Sequence, residues 1–167
     1  MSKFKISFLS DVSFEQFKSF LDSLDEERKT WSLDLQMHKN AMELYKYKKS
    51  GALIIRDEDK WGNLSEIIGF VDAYDLSARV DPTIEVSFVV KKEYQGKGLG
   101  TRLLKEIELE AKKRGVLIST AKHFKDNIAS HKAFLKAGYK EWKEHKNLVW
   151  KIKFLRRNFK PRETYWK

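Results

Sequence analysis

The sequence predicts a single α+β (mixed α/β) domain, and three observations carry that expectation. A chain of 167 residues is long enough for one well-buried core and leaves little room for a second. Apolar spacing switches repeatedly between a period of two and a period near 3.6, so strands and helices interleave. No internal repeat, low-complexity tract or Pro/Gly/Ser linker divides the chain. Residues 1–155 are expected to form the domain and residues 156–167 a basic C-terminal tail.

The elements follow in order. Residues 3–9 alternate Phe4, Ile6 and Phe8 and read as a strand. Ser13-Phe14-Glu15-Gln16 is a capping-box pattern that opens a helix to about Leu24. A second helix, broken or continuous, is expected from Trp31 to about Lys48. Ala52–Arg56 and Ser65–Tyr74 read as a hairpin around Trp61-Gly62-Asn63, and Thr83–Val90 follows the break at Asp81-Pro82. Leu99, Leu103, Leu104, Ile107 and Ala111 share one helical face, with Lys112-Lys113-Arg114 and Gly115 supplying the terminus. Val116–Thr120 reads as a short strand and Asp126 to Ala137 as a helix stopped by Gly138. Strands at about 138–143 and 147–155 complete the order.

Composition narrows the function classes. The chain has no cysteine, which excludes disulfides, thiolate nucleophiles and Cys-based zinc sites. The four histidines, at 38, 123, 131 and 145, lack metal-ligand spacing, so no metal is expected. No apolar run approaches the roughly 20 residues that span a bilayer, and the first residues lack a secretory pattern. A cytoplasmic protein with no membrane contact is therefore expected, as monomer or homodimer. The net charge is +10, and residues 151–167 hold seven Lys/Arg against one Glu. A basic surface concentrates anions, phosphorylated cofactors or nucleic acid among them.

The chemistry concentrates between Thr83 and Leu104. A strand runs through Phe88, Val89 and Val90 into the loop Gln95-Gly96-Lys97-Gly98-Leu99-Gly100-Thr101, and an amphipathic helix starts at once. Small residues let successive N–H groups face one point, and a helix N-terminus adds unpaired donors and the positive end of its dipole. Such a loop suits a pyrophosphate. It is not a P-loop, which needs Lys-Ser/Thr after its last glycine where this chain has Thr101-Arg102. The dinucleotide fingerprint also fails, because Thr101 stands where its third glycine belongs.

Residues 83–104 resemble the acetyl-CoA motif of the GNAT superfamily of N-acetyltransferases, Arg/Gln-x-x-Gly-x-Gly/Ala, through Gln95, Gly98 and Gly100. A second segment is similar to that family's later helix, with Asn127, Ser130, Phe134, Lys136, Gly138 and Tyr139 at corresponding places. The resemblance extends from about Ser65 to Leu155. It implies a central, mostly antiparallel sheet of about seven strands flanked by four helices, with a splay between strands 4 and 5. It implies acetyl-CoA as cosubstrate and an amine acceptor, the acetyl group passing by direct attack in a ternary complex.

Several site residues follow from the resemblance. The backbone of Phe88, Val89 and Val90 would hold the pantetheine arm, with the N–H of Val89 or Val90 facing the developing oxyanion. The amides of Gln95 through Thr101 would hold the pyrophosphate, assisted by Lys97, Arg102 or Lys136. Asn127 would bond the pantetheine or diphosphate region, cap its helix, or do both. Glu85, a charge among Ile84, Val86 and Phe88, is the candidate base or an outward-facing strand glutamate; Glu66 and His123 are secondary candidates. Phe134 stands where many relatives carry a tyrosine near the sulfur, so the packing stays and the proton donor is lost. Two alternatives accompany this reading: an acetyl-CoA-binding regulatory protein, and an acetyltransferase that docks on RNA or the ribosome through the basic tail. Phe159, Tyr165 and Trp166 among the basic residues could stack on bases, or pack back on the domain.

Overall fold

Alternating apolar residues build the first half of the sheet. The structure, a computed structural model, describes residues 3–26, 40–48, 51–76 and 81–160. Strands β1 (Lys3–Phe8), β2 (Leu53–Glu58), β3 (Leu64–Asp75) and β4 (Thr83–Val90) pair antiparallel in that order. Strand β5 (Ile118–Phe124) joins β4 in parallel, and β6 (Lys140–His145) and β7 (Leu148–Phe154) complete the sheet in the order β1-β2-β3-β4-β5-β7-β6. The described residues hold four helices: α1 (Phe14–Ser23), α2 (Ala41–Lys48), α3 (Leu99–Lys113) and α4 (Ile128–Lys136). The mostly antiparallel seven-stranded sheet is therefore present.

Strand alternation divides the core in two. Ile55, Val71, Val86 and Val90 pack on one face against Leu103, Leu104 and Ile107 of α3 and Phe134 of α4. Ile54, Phe70 and Val89 pack on the other against Phe17 and Phe20 of α1 and Leu44 of α2. Neighbouring residues such as Ile54 and Ile55 thus serve opposite cores, as a period of two requires. The α1 entry is the expected capping box. The Gln16 N–H donates to Ser13 Oγ at 3.2 Å and the Ser13 N–H donates to Gln16 Oε1 at 2.9 Å.

The later boundaries move. β5 starts at Ile118 rather than Val116, because the Val116 N–H donates to Ala111 O and closes the end of α3. It runs on past Thr120 to Phe124, where every residue from Ile118 onward pairs with β7. Polar Lys122 and His123 concealed that extension in the sequence. β6 begins at Lys140, two residues late, and meets β7 through a tight turn with Lys146 at φ 53°. The expected helix before Ala41 lies outside the described residues. So does most of the tail, although Phe159 packs on Phe154 with ring centroids 6.0 Å apart and Arg156 donates to Lys112 O.

Charges are buried where no period announced them. Lys153 on β7 donates to Glu108 of α3 at 2.7 Å and to Ala137 O, which ties the middle of α3 and the C-terminal end of α4 to the sheet. Beside this pair the Tyr139 hydroxyl bonds Ser119 Oγ at 2.6 Å; burial, with Glu108 adding to it, holds that phenol well above its ordinary pKa. Tyr139 is thus a packed, neutral core residue.

Candidate functional site

β4 and β5 part company halfway along. Their register runs Thr83–Ile118, Ile84–Ser119 and Glu85–Thr120 and stops there, while β4 continues to Val90 and β5 to Phe124. The expected splay begins at this point. Lys91 donates its N–H to Ile68 O at 2.9 Å, and Val89's carbonyl lies on the β3 side, 3.4 Å from an ideal Cβ on Gly69. Alternation therefore turns the backbone of Phe88 and Val90 toward the splay. Of the two expected oxyanion donors, the N–H of Val90 faces the gap and that of Val89 faces the sheet.

The Gly-rich loop stands at the mouth of the gap. A 3₁₀ turn, Lys92–Tyr94, leads into it, and the Gln95 N–H donates back to Lys92 O at 3.2 Å. The Gln95 amide is therefore engaged, and the donor series starts after it. Gly96 and Gly98 adopt φ of 77° and 76°, where an L side chain is strained, and an ideal Cβ on either meets nothing within 4 Å. Open space over two left-handed glycines is what a close-approaching ligand needs. Gly98 caps α3, and the first helical bond runs from Arg102 N–H to Gly98 O, so Leu99, Gly100 and Thr101 precede the hydrogen-bonded ladder. No acidic side chain occupies that first turn. Gly100 has a different task, because a Cβ there would stand 2.7 Å from the Phe88 ring.

A cleft of about 320 Å³ joins these parts. Phe88 and Val90 line it below, Tyr94, Gln95, Gly96, Gly98, Leu99, Gly100 and Thr101 on one wall, and Ile128, Ala129, Lys132, Ala133 and Lys136 of α4 on the other. Lys132 and Lys136, one helical turn apart, bring two positive charges to the wall facing the loop. The sequence argument named Lys136 and missed Lys132, although the four-residue spacing carried the signal. Arg102 does not join them, since it donates to Phe4 O of β1 at 3.2 Å. Lys97 lies 5.4 Å from the Tyr94 ring centre.

Asn127 and Phe134 sit just behind this wall. Asn127 caps α4 by accepting the Ser130 N–H at 3.1 Å, so its capping role is realised. Phe134 is buried and meets Phe88 edge-on at 5.5 Å, Tyr139 at 5.2 Å and the His123 ring face-on at 6.1 Å. His123 Nδ1 bonds Phe124 O at 2.7 Å, while Nε2 is buried without a hydrogen-bond partner. Desolvation, partly offset by the Phe124 carbonyl, depresses its pKa and favours the neutral ring. Behind it the fully buried Lys151 lies 2.9 Å from His131 Nδ1 and 3.3 Å from Glu141.

The opposite face of the sheet holds Glu85. Register places Tyr74 of β3 and Thr120 of β5 on either side of it, and Asp72 opposite Ser87. Glu85 is neither fully exposed nor sealed: its side chain keeps 20% of its surface, and Lys122 Nζ lies 3.7 Å away. Nearby, Lys48 of α2 pairs with buried Asp72 at 2.8 Å and lies 3.4 Å over the Tyr74 ring centre. Burial raises the Asp72 pKa and Lys48 opposes that rise. Register alone assembles this polar row, so the sequence showed Glu85 without its neighbours. Glu66, by contrast, is exposed beside Lys91 at 3.4 Å and stands apart from the row. Among the described residues no group of three His, Asp or Glu side chains is arranged to hold a metal.

Comparison with known proteins agrees with this arrangement. Residues 16–139 match the model of the Acetyltransferase (GNAT) family. A stretch of 85 residues is 36% identical to the putative phosphinothricin acetyltransferase YwnH of Bacillus subtilis, covering 51% of this chain and about half (52%) of that relative. The fold matches the GNAT domain of S. lividans PAT with a TM-score of 0.70 at 21% identity, over 92% of this chain and 90% of that one. It also matches yncA, a putative acetyltransferase from Salmonella typhimurium solved with acetyl-CoA, with a TM-score of 0.64 at 18% identity over 98% and 99% of the two chains.

Proposed function

The chain belongs to the GNAT acetyltransferase family, and from that premise we propose that it transfers the acetyl group of acetyl-CoA to a primary amine of a small molecule, peptide or protein. The observation that carries this reading is the parting of β4 and β5 after Glu85–Thr120, with the open glycine loop at its mouth. The loop from Gly96 to Thr101 and the start of α3 suit the diphosphate, and Lys132 and Lys136 add charge from α4. Bound acetyl-CoA supplies an activated acyl group on a good leaving thiolate.

The residues of the chain divide the remaining work. Glu85 takes a proton from the acceptor's ammonium, directly or through water, because only the neutral amine can attack. The amine nitrogen then bonds the acetyl carbon, the Val90 N–H faces the developing oxyanion, and the C–S bond breaks. The nitrogen releases its second proton to solvent, and the departing sulfur gains one. Phe134 cannot donate it, so solvent does. A thiol with a pKa near 8.5 leaves readily without an enzymic acid.

The test is a titration of acetyl-CoA by calorimetry, followed by thiol release over a panel of small amines and peptides. Saturable binding and acceptor-dependent release support the proposal; binding without release from any amine supports the regulatory reading, which Phe134 alone favours. No binding by the folded protein removes both.

A further inference from the structure

We propose that Lys122 is a specificity-determining residue that reads an acidic group on the acceptor, and that its transfer from Glu85 to that group leaves Glu85 ready to take the amine's proton. The inference rests on Glu85 acting as the base and adds to it the kind of amine that is selected.

Position is the first ground. Lys122 lies two residues beyond Thr120, the last β5 residue paired with β4, so it stands on the same sheet face as Glu85 where the strands part. Its Nζ is 3.7 Å from Glu85 Oε2, beyond the range of about 2.7–3.2 Å for a hydrogen bond. The two side chains retain 29% and 20% of their surface, and an ion pair that open contributes little to stability. A lysine on a flexible stem, loosely held beside a proposed base, can change partners at small cost.

Charge is the second ground. The row holds two carboxylates, and each already has a lysine: Glu85 has Lys122, and Asp72 has Lys48. Among the described residues, neither carboxylate of the row is left without a lysine to attract a polycation, and the chain as a whole carries +10. An ammonium approaching Glu85 on its own meets Lys122 as a competitor. An acceptor with a carboxylate or similar acid a few bonds from its amine instead gives Lys122 a new partner. Its amine then faces Glu85, and the ammonium proton passes to that carboxylate. The acceptor class that fits is an amino acid or a close analogue, a molecule carrying both charges.

Steady-state kinetics on matched acceptors tests this, using free L-amino acids and the corresponding amino-acid amides, each rate corrected for its neutral-amine fraction. The wild type is expected to favour the free acid at least tenfold in kcat/KM. In Lys122→Met that preference should fall at least tenfold, while Lys122→Arg retains most of it. Acetyl-CoA affinity, measured by calorimetry, should be the same in all three, which separates the effect from misfolding. Equal losses on acids and amides in Lys122→Met would reduce Lys122 to a positioner of Glu85 and overturn the proposal. A wild type that binds acetyl-CoA yet favours amides or polyamines, or acetylates none of the panel, also overturns it. Failure of the base assignment looks different: Glu85→Gln would then leave turnover intact while the acid preference and its dependence on Lys122 remain.

Discussion

The two faces of the sheet carry their candidate sites in different materials. On the α3–α4 face the cleft is chiefly backbone: left-handed glycines, the first amides of α3 and the parted edge of β4. On the α1–α2 face the row is side chains drawn from β3, β4 and β5 by register, Tyr74 and Thr120 flanking Glu85 and Lys122 beyond. Backbone cradles depend on where glycine stands and tolerate change elsewhere. A side-chain row depends on the identity of each member. Substitutions on the second face should therefore alter chemistry with the fold intact, and those on the first should alter cofactor binding.

The largest effect belongs to Glu85→Gln. Turnover should fall about 10²–10⁴-fold, the usual worth of a positioned base, with acetyl-CoA affinity unchanged. The loss should shrink as pH nears the amine's own pKa, where neutral acceptor forms unaided. A pH-independent loss below about threefold would remove Glu85 from the mechanism and merge the two faces. Gly100→Ala addresses the other face through packing. Its Cβ would stand 2.7 Å from the Phe88 ring, so overpacking should cost roughly 1–3 kcal/mol in urea denaturation and weaken cofactor binding as Phe88 shifts in the cleft floor. Unchanged stability would mean that the helix and β4 can separate freely.

A smaller effect concerns pH. Burial lowers the folded-state pKa of His123, so its neutral form is favoured and the associated stability is complete above the unfolded value near 6.5. It is lost as pH falls below that value, because the unfolded chain gains a proton the folded one resists. Denaturation at pH 7.5 and 5.5 should show the drop, and His123→Phe, which keeps the stack on Phe134, should reduce it. An undiminished drop would assign the pH response elsewhere. Smallest is Ser13→Ala, which removes one half of the α1 capping box. It should cost about 1 kcal/mol and leave acetyl-CoA affinity untouched, since α1 lies across the sheet from the cleft.

The same contrast explains what could be read from the sequence. Gly96 and Gly98 announced the loop because their left-handed geometry is local, and the amphipathic stripe of α3 announced its own buried face. The Ser13 capping box was equally local. Lys122 was hidden because β5 is defined by pairing with β7, and polar residues at its end gave no apolar alternation. Lys151 and Lys153 were hidden for a related reason: their partners Glu141, His131 and Glu108 lie 10, 20 and 45 residues away. Even within the loop, the sequence could not separate Gly98, which the left-handed backbone requires, from Gly100, which the Phe88 ring requires. Asn127 stayed ambiguous because a cap and a ligand contact call for the same side chain.

The most direct test of the backbone cradle is a calorimetric titration of acetyl-CoA into the wild type and Thr101→Glu. Thr101 lines the cleft in the first turn of α3, a turn without any acidic residue. A glutamate there should hold or raise helix stability, by about 0.3–1 kcal/mol from the dipole, while its charge opposes the diphosphate. The account predicts saturable binding by the wild type and at least a roughly tenfold weaker constant in the variant, a difference of about 1.4 kcal/mol, with thermal stability preserved. Equal affinity in two equally stable proteins would contradict it, and so would a folded wild type that does not bind acetyl-CoA.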